Sequence, residues 1–191
     1  MTASRRANAG RVTYRSRPRR GDVAALRRLV ASTGVFYPEE RKIALELLTE
    51  RLRIGSRSGY SFVFAERGGH VLGYCAWGKV PLTRGSYDLY WIAVAPAAQG
   101  QGLGRELTKR VERAVGRQGG GALYIETSSR RVYDRTRRFY REAGYREVAR
   151  LRGFSISGLQ AKHPALQITE VMRPSDDFLS SIATFAEANA A

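Results

Sequence analysis

The stretch Leu89-Tyr90-Trp91-Ile92-Ala93-Val94-Ala95-Pro96, followed at once by Gln99-Gly100-Gln101-Gly102-Leu103-Gly104-Arg105, constrains this chain more than any other. A continuous apolar run of this length reads as a buried strand. The glycine-rich turn after it leads straight into an amphipathic helix, Arg105 to Arg117, with Leu107, Val111 and Val115 on one face. Glycine lets backbone N–H groups crowd round an anion, and a helix N-terminus favours negative charge there. The sequence therefore offers a phosphate cradle at the end of a strand. It is not the cradle of G-x-x-x-x-G-K-[ST], because no Lys-Ser/Thr follows the glycines. Nor is it G-x-G-x-x-G, because the glycines fall at 100, 102 and 104.

The rest of the chain reads as alternating strands and helices. Arg11 to Arg15 suits a first strand. Asp22 stands as N-cap to a helix with Val23, Leu26, Leu29 and Val30 on one face, ended by Gly34. Pro38-Glu39-Glu40 opens a second helix, with Ile43, Leu47 and Leu48 directed inward. Tyr60 to Glu66 and His70 to Trp77 flank Gly68-Gly69, the signature of a hairpin turn. Tyr87 to Ala95 is the central strand, and Leu123 to Ser129 is a further short one. Ala165 to Met172 can supply a closing strand, and Ser175-Asp176-Asp177 can cap a terminal helix carrying Phe178, Ile182 and Phe185. The domain spans 11–172, after a basic arm at 1–10 and before a tail or helix at 173–191.

Composition narrows the function class. No apolar run reaches the roughly 18 residues that cross a bilayer. The N-terminus lacks an apolar leader core, and a single cysteine, Cys75, allows no intrachain disulfide; both suit a cytoplasmic protein without membrane association. The net charge is +16, and only four of the 33 basic residues are lysines. Such charge attracts polyanions. Residues 1–20 hold seven arginines and no acid and read as a mobile arm leading into the first strand. Cys75 reads as a buried apolar thiol, and His70 and His163 lie too far apart to suggest a metal site.

The spacing Gln99-x-x-Gly102-x-Gly104 resembles the Q/R-x-x-G-x-G/A acyl-CoA-binding motif of the GNAT family of N-acetyltransferases. Thr136-Arg137-Arg138-Phe139-Tyr140-Arg141-Glu142-Ala143-Gly144-Tyr145 is similar to that family's F-Y-x-x-x-G-F/Y signature. Order and spacing agree over residues 11–152, and the stretch from 153 to 191 departs from the pattern. The resemblance implies an α/β fold: a central mixed, mostly antiparallel sheet with one splayed parallel strand pair, flanked by helices.

It also implies an acetyl-CoA-dependent N-acetyltransferase acting on the amine of a small molecule, by direct attack in a ternary complex. Acetyl-CoA would be held by Ile92, Ala93 and Val94 of the strand, by Gln99, Gly100, Gln101, Gly102, Leu103, Gly104 and Arg105 of the cradle, and by Tyr133. At this last position the family often has Asn, so a hydroxyl would replace an amide. The Val94 N–H would polarise the thioester carbonyl. Where the family often has a general-base glutamate, four residues before Ile92, this chain has Asp88; Glu126 is the other candidate. Tyr140 would reprotonate the leaving thiolate. Phe36, Tyr37, Tyr87 and Arg130 would shape the acceptor pocket. Two rival readings are an acetyltransferase for a macromolecular amine such as aminoacyl-tRNA, motivated by the charge, and a non-catalytic acyl-CoA- or nucleic-acid-binding module. Nucleic-acid contact is the less favoured partner, and a homodimer is compatible with everything above.

Overall fold

The structure is a computed structural model that describes residues 10–152 and 168–174. The basic arm through residue 9, the stretch Ala165 to Gln167 and the expected terminal helix lie outside the described residues. The chain forms two compact units, Met1–Gly78 with Trp91–Val111, and Lys79–Tyr90 with Glu112–Ala191. Elements follow the order expected: β1 (Thr13–Arg15), α1 (Asp22–Ser32), α2 (Pro38–Ile54), β2 (Tyr60–Arg67), β3 (His70–Lys79), β4 (Ser86–Val94), α3 (Leu103–Arg117), β5 (Ala122–Ser128), α4 (Asp134–Glu142), β6 (Tyr145–Arg152) and β7 (Ile168–Pro174). The sheet is mixed and flanked by helices, as expected. β4 passes through both units.

In the first unit the strand order is β1-β2-β3-β4. β1 and β3 both pair antiparallel with β2, which is bulged at Ala65/Glu66. Gly68 and Gly69 both have positive φ, 57° and 83°, the backbone that a two-residue hairpin turn requires. Phe62 and Phe64 share one face of β2, and Phe64 stacks on Tyr74 of β3 at 6.3 Å between centroids. Leu26, Val30 and Leu48 from α1 and α2 are fully buried. Each such side chain contributes about 1.5–3 kcal/mol relative to exposure. Val23 and Ile43, expected inward, are only half-buried, and Ala44 takes the inner position on α2.

Two expectations for this unit are corrected. Asp22 is not an N-cap: Gly21 holds that position without a side-chain bond. The Asp22 carboxylate instead receives Arg15, Nη1 to Oδ2 at 2.9 Å and Nη2 to Oδ1 at 2.5 Å, and the Arg19 backbone N–H at 2.7 Å. Arg15 also donates from Nε to Glu66 Oε1 at 2.9 Å, and its guanidinium lies 4.2 Å from the centre of the Phe64 ring. Arg15 is thus no part of a mobile basic segment. It is a half-buried tie between β1, α1 and β2; desolvation works against its charge, but the hydrogen bonds and charges of Asp22 and Glu66 outweigh this and raise its pKa above the ordinary arginine value. Elsewhere α2 starts as read, with Pro38 in its first turn and the Tyr37 N–H donating to Glu40 Oε2 at 2.6 Å.

In the second unit the order is β4-β5-β7-β6. β4 and β5 are parallel, in register from Ser86↔Ala122 to Leu89↔Ile125. β7 enters antiparallel between β5 and β6, so the closing strand expected near Ala165 to Met172 exists and runs to Pro174. Burial alternates along β4: Tyr87 and Leu89 face the core, whereas Asp88 and Tyr90 sit on the more open face. β5 alternates likewise, with Leu123, Ile125 and Thr127 inward.

Candidate active site

The first unit carries the cradle. α3 begins at Leu103, two residues earlier than the sequence suggested, so its first turn takes in Gly104 and Arg105. Leu103 is buried and anchors that turn. The preceding loop is held by amides. Gln99 Nε2 donates to the Val94 carbonyl at 3.1 Å, and Gln101 Nε2 to the Ala97 carbonyl at 3.2 Å. Arg67 Nη2 donates to Gln101 Oε1 at 3.1 Å. Gln99 is therefore a strut between the loop and the end of β4. Gly100 and Gly102 have φ of 75° and 76°, and a Cβ built on either meets no heavy atom within 4 Å. The two glycines turn the loop without filling the space above it. An open, glycine-turned loop at the N-terminus of a 15-residue helix fits a diphosphate.

Ile92 and Val94 are half-buried and Ala93 is buried. β3 approaches this strand end closely: the Ala95 N–H donates to the Leu72 carbonyl at 2.8 Å. A Cβ on Gly73 would stand 2.9 Å from the Ala93 carbonyl oxygen. Phe36, in the α1–α2 loop, is half-buried and packs on Trp91 with centroids 5.5 Å apart. The Trp91 Nε1–H is buried without a partner among the described residues. Trp91 read as plain strand core from sequence; what marks it is the ring of Phe36 from a distant loop, which no local pattern announces.

The second unit carries the titratable groups. The register Asp88↔Tyr124 and the alternation of β5 put Asp88 and Glu126 on one sheet face. Desolvation raises the Asp88 pKa above the ordinary carboxylate range. Glu126 is raised by desolvation around its carboxyl first and by the Asp88 charge second, although the residue keeps an exposed edge. Like charges that must share one face resist joint ionisation. Such a pair is suited to take up a proton nearer neutrality than a solvated carboxylate can.

Tyr140 lies on α4 with 2% of its surface exposed, its ring 5.2 Å from Phe139 and 5.7 Å from Tyr145. Tyr145 donates in turn to Glu112 Oε1 at 2.6 Å, a buried hydrogen bond. The aromatic pair of the sequence motif is thus fixed by packing from β6 and α3. Tyr133 precedes α4, with the Arg130 guanidinium 5.7 Å from the centre of its ring.

Tyr87, expected at the acceptor pocket, is committed elsewhere. Its hydroxyl donates to Gln118 Oε1 at 3.2 Å, and its ring edge lies 2.8 Å from where a Cβ on Gly120 would be. Tyr87 packs against the glycine turn after α3, and only a residue without a side chain fits at 120.

Arg137 escaped the sequence reading. Its guanidinium donates to the Ser128 carbonyl, to the Arg130 carbonyl at 3.1 Å, and to Asp134. It turns back under the β5–α4 connection, fixing the turn that bears Arg130 and Tyr133. In sequence it is one arginine among many, and nothing local separates it from the solvated ones.

Comparison with known proteins bears on the fold and the family. The family described as acetyltransferase (GNAT) domain matches residues 58–147. The solved structure of a GNAT-family acetyltransferase from Desulfovibrio desulfuricans superposes with a TM-score of 0.79 at 42% identity, covering 85% of this chain and 98% of that one. The chain belongs to the GNAT family. Acetyl-CoA is the acyl donor that GNAT acetyltransferases use. Among curated GNAT relatives, mycothiol acetyltransferase of Streptomyces bingchenggensis is 37% identical over 82 residues, covering 42% of this chain and 26% of that protein. The N-alpha-acetyltransferase RimI of Mycobacterium tuberculosis is 32% identical over 102 residues, covering 52% of this chain and 61% of that protein. The chain thus spans less than two thirds of either curated relative. Among the described residues no helix is long and apolar enough to cross a membrane.

Proposed function

We propose that this protein transfers the acetyl group of acetyl-CoA to the amine of a small molecule, by direct attack in a ternary complex. The observation that carries the reading is the pair Asp88 and Glu126, two carboxyls on one sheet face, both with raised pKa values. When bound, acetyl-CoA supplies an acyl thioester. Backbone N–H groups from Gly100 to Arg105 hold its diphosphate, and the backbone of Ile92 and Val94 holds its extended arm. Asp88 or Glu126 takes the proton of the incoming ammonium, directly or through a water. Tyr140 Oη is the proton donor, and packing against Phe139 and Tyr145 holds its ring in place.

In the first unit, Phe36 and Tyr37 suit the apolar part of an amine. In the second, Arg130 suits an anionic group on the acceptor. A second reading is favoured by the match to RimI: the acceptor is the N-terminal amine of a protein. A panel of small amines and short peptides, read as thiol release from acetyl-CoA, decides between them. Tyr140→Phe should lower kcat by roughly 10- to 10,000-fold on the true acceptor, with little change in acetyl-CoA affinity. An unaltered kcat would remove Tyr140 from the chemistry, and no release with any amine would overturn the proposal.

A further inference from the structure

The outer face of α4 carries positive charge that acetyl transfer leaves unassigned. Tyr140 sits on the buried side of this helix. At about 100° per residue, Arg135 and Arg138 stand on the opposite side, and Arg131, in the turn leading into the helix, continues the same row. All three are exposed. None carries an ion pair or hydrogen bond among the described residues, whereas Arg53, Arg110, Arg137 and Arg150 each hold a carboxylate three or four residues away. Like charges at that spacing work against a helix by roughly 0.2–0.5 kcal/mol per pair. Asp134 and Glu142 stand four residues to either side of Arg138, yet among the described residues no ion pair joins either acid to it, and Asp134 is taken by Arg137.

We propose that this arginine row, Arg131, Arg135 and Arg138, docks the phosphate backbone of a nucleic acid. Arg135 and Arg138, three residues apart on the helix, are roughly 5–6 Å apart at Cβ, and Arg131 extends the positive charge into the preceding turn. A polynucleotide presents negative charge with a regular repeat along its length. Arginine rather than lysine at all three places favours paired hydrogen bonds to phosphate oxygens. A lipid surface suits the face less well, since it bears a single exposed large apolar side chain, Val132, where an interfacial helix needs a wide apolar stripe. Arg137 and Tyr140, both turned inward, anchor the helix, so the row is presented without further ordering. The contacts are to backbone and carry no base readout.

The test uses the full chain and two labelled probes, a 20-nucleotide RNA hairpin and a 20-base-pair DNA duplex, titrated at several salt concentrations. The wild type should bind at least one probe, with affinity falling linearly in log salt. Arg135→Glu/Arg138→Glu should weaken binding by about tenfold or more and make the slope shallower by roughly 1.4–1.8, the value for two lost phosphate contacts. Arg27→Glu/Arg28→Glu, the same charge change on exposed positions of α1, should leave both quantities near wild type. Thiol release with a small amine should persist in both variants, showing that they are folded. If the glutamate pair fails to fold, Arg135→Gln/Arg138→Gln should show the same ranking at smaller size. Equal losses in the α1 and α4 variants would mean that total charge alone binds, and would overturn the proposal. Failure of the wild type to bind either probe would do the same.

Discussion

Gly73→Ala probes the link between packing and cofactor binding with one methyl group. The new Cβ would lie 2.9 Å from the Ala93 carbonyl oxygen, 3.2 Å from Leu107 Cδ1 and 3.2 Å from Val94 Cγ2. A comfortable carbon–oxygen contact is about 3.3–3.6 Å. The Leu107 side chain can rotate away, but the carbonyl belongs to backbone between Ile92 and Val94 and must itself move by several tenths of an ångström. Overpacking of this kind costs about 1–3 kcal/mol. The lower entropy of the unfolded alanine chain returns about 0.4–1 kcal/mol. A net loss of about 1–2 kcal/mol is expected in urea unfolding. Because the displaced peptide is the one proposed to hold the cofactor arm, acetyl-CoA affinity by calorimetry should fall about tenfold, in proportion to a sub-ångström misplacement. Gly121→Ala is the control: its Cβ meets nothing within 4 Å, and neither stability nor affinity should drop. If Gly73→Ala matches the wild type in both measurements, the close approach of β3 does not set the geometry of the β4 end.

Asp88→Asn should lower the Glu126 pKa by removing the neighbouring charge. If Glu126 is the base, the acidic limb of the pH–rate profile moves to lower pH and activity gains there, whereas loss of the limb with loss of rate assigns the base to Asp88. Gly102→Asp places a carboxylate in the cradle at a position with φ of 76°; acetyl-CoA binding should become unmeasurable by calorimetry while the fold survives. An unchanged affinity would show that the diphosphate lies elsewhere. Arg137→Gln and Arg137→Lys both lose the fork that holds two carbonyls and Asp134, so each should raise KM more than it lowers kcat and cost about 1–3 kcal/mol in stability. A lysine variant with wild-type KM would refute the clamp.

Where a pattern is local, the residues announced the structure. The apolar run of β4, the Gly68-Gly69 hairpin, Pro38 at the start of α2 and the apolar face of α3 all appear as read, because each follows from periodicity or from a backbone angle that one residue type permits. What stayed hidden depends on partners distant in sequence. Asp22 looked like a cap because its immediate neighbours allow one, yet Arg15 and the Arg19 N–H claim its carboxylate. Tyr87 was named for the acceptor pocket through the family resemblance, and its bond to Gln118 and its approach to Gly120 could not be read from sequence. Arg137 and Trp91 bear on the site through contacts that no motif encodes. Tyr140, Asp88 and Glu126 were singled out for the chemistry only through the family resemblance. The burial of Tyr140 comes from the packing of α4 with β6, and the influence of Asp88 on Glu126 from the pairing of β4 with β5.

The tie made by Arg15 also bears on how this sequence can drift. One guanidinium serves two buried carboxylates that are 44 residues apart, Asp22 and Glu66, so each single exchange among the three weakens the hold on at least one of the others. Losing the arginine leaves Asp22 with the Arg19 N–H alone and Glu66 with only the longer Arg19 ion pair at 3.6 Å; losing either acid removes one of the charges that hold the arginine in place. Stranding a buried charge costs about 3–5 kcal/mol, a large part of the stability of an ordinary domain. Replacing all the charged members together by apolar residues of similar volume is often neutral. Descendants of this chain should therefore keep all three or lose them together, and positions 15, 22 and 66 should change as a block when related sequences are compared.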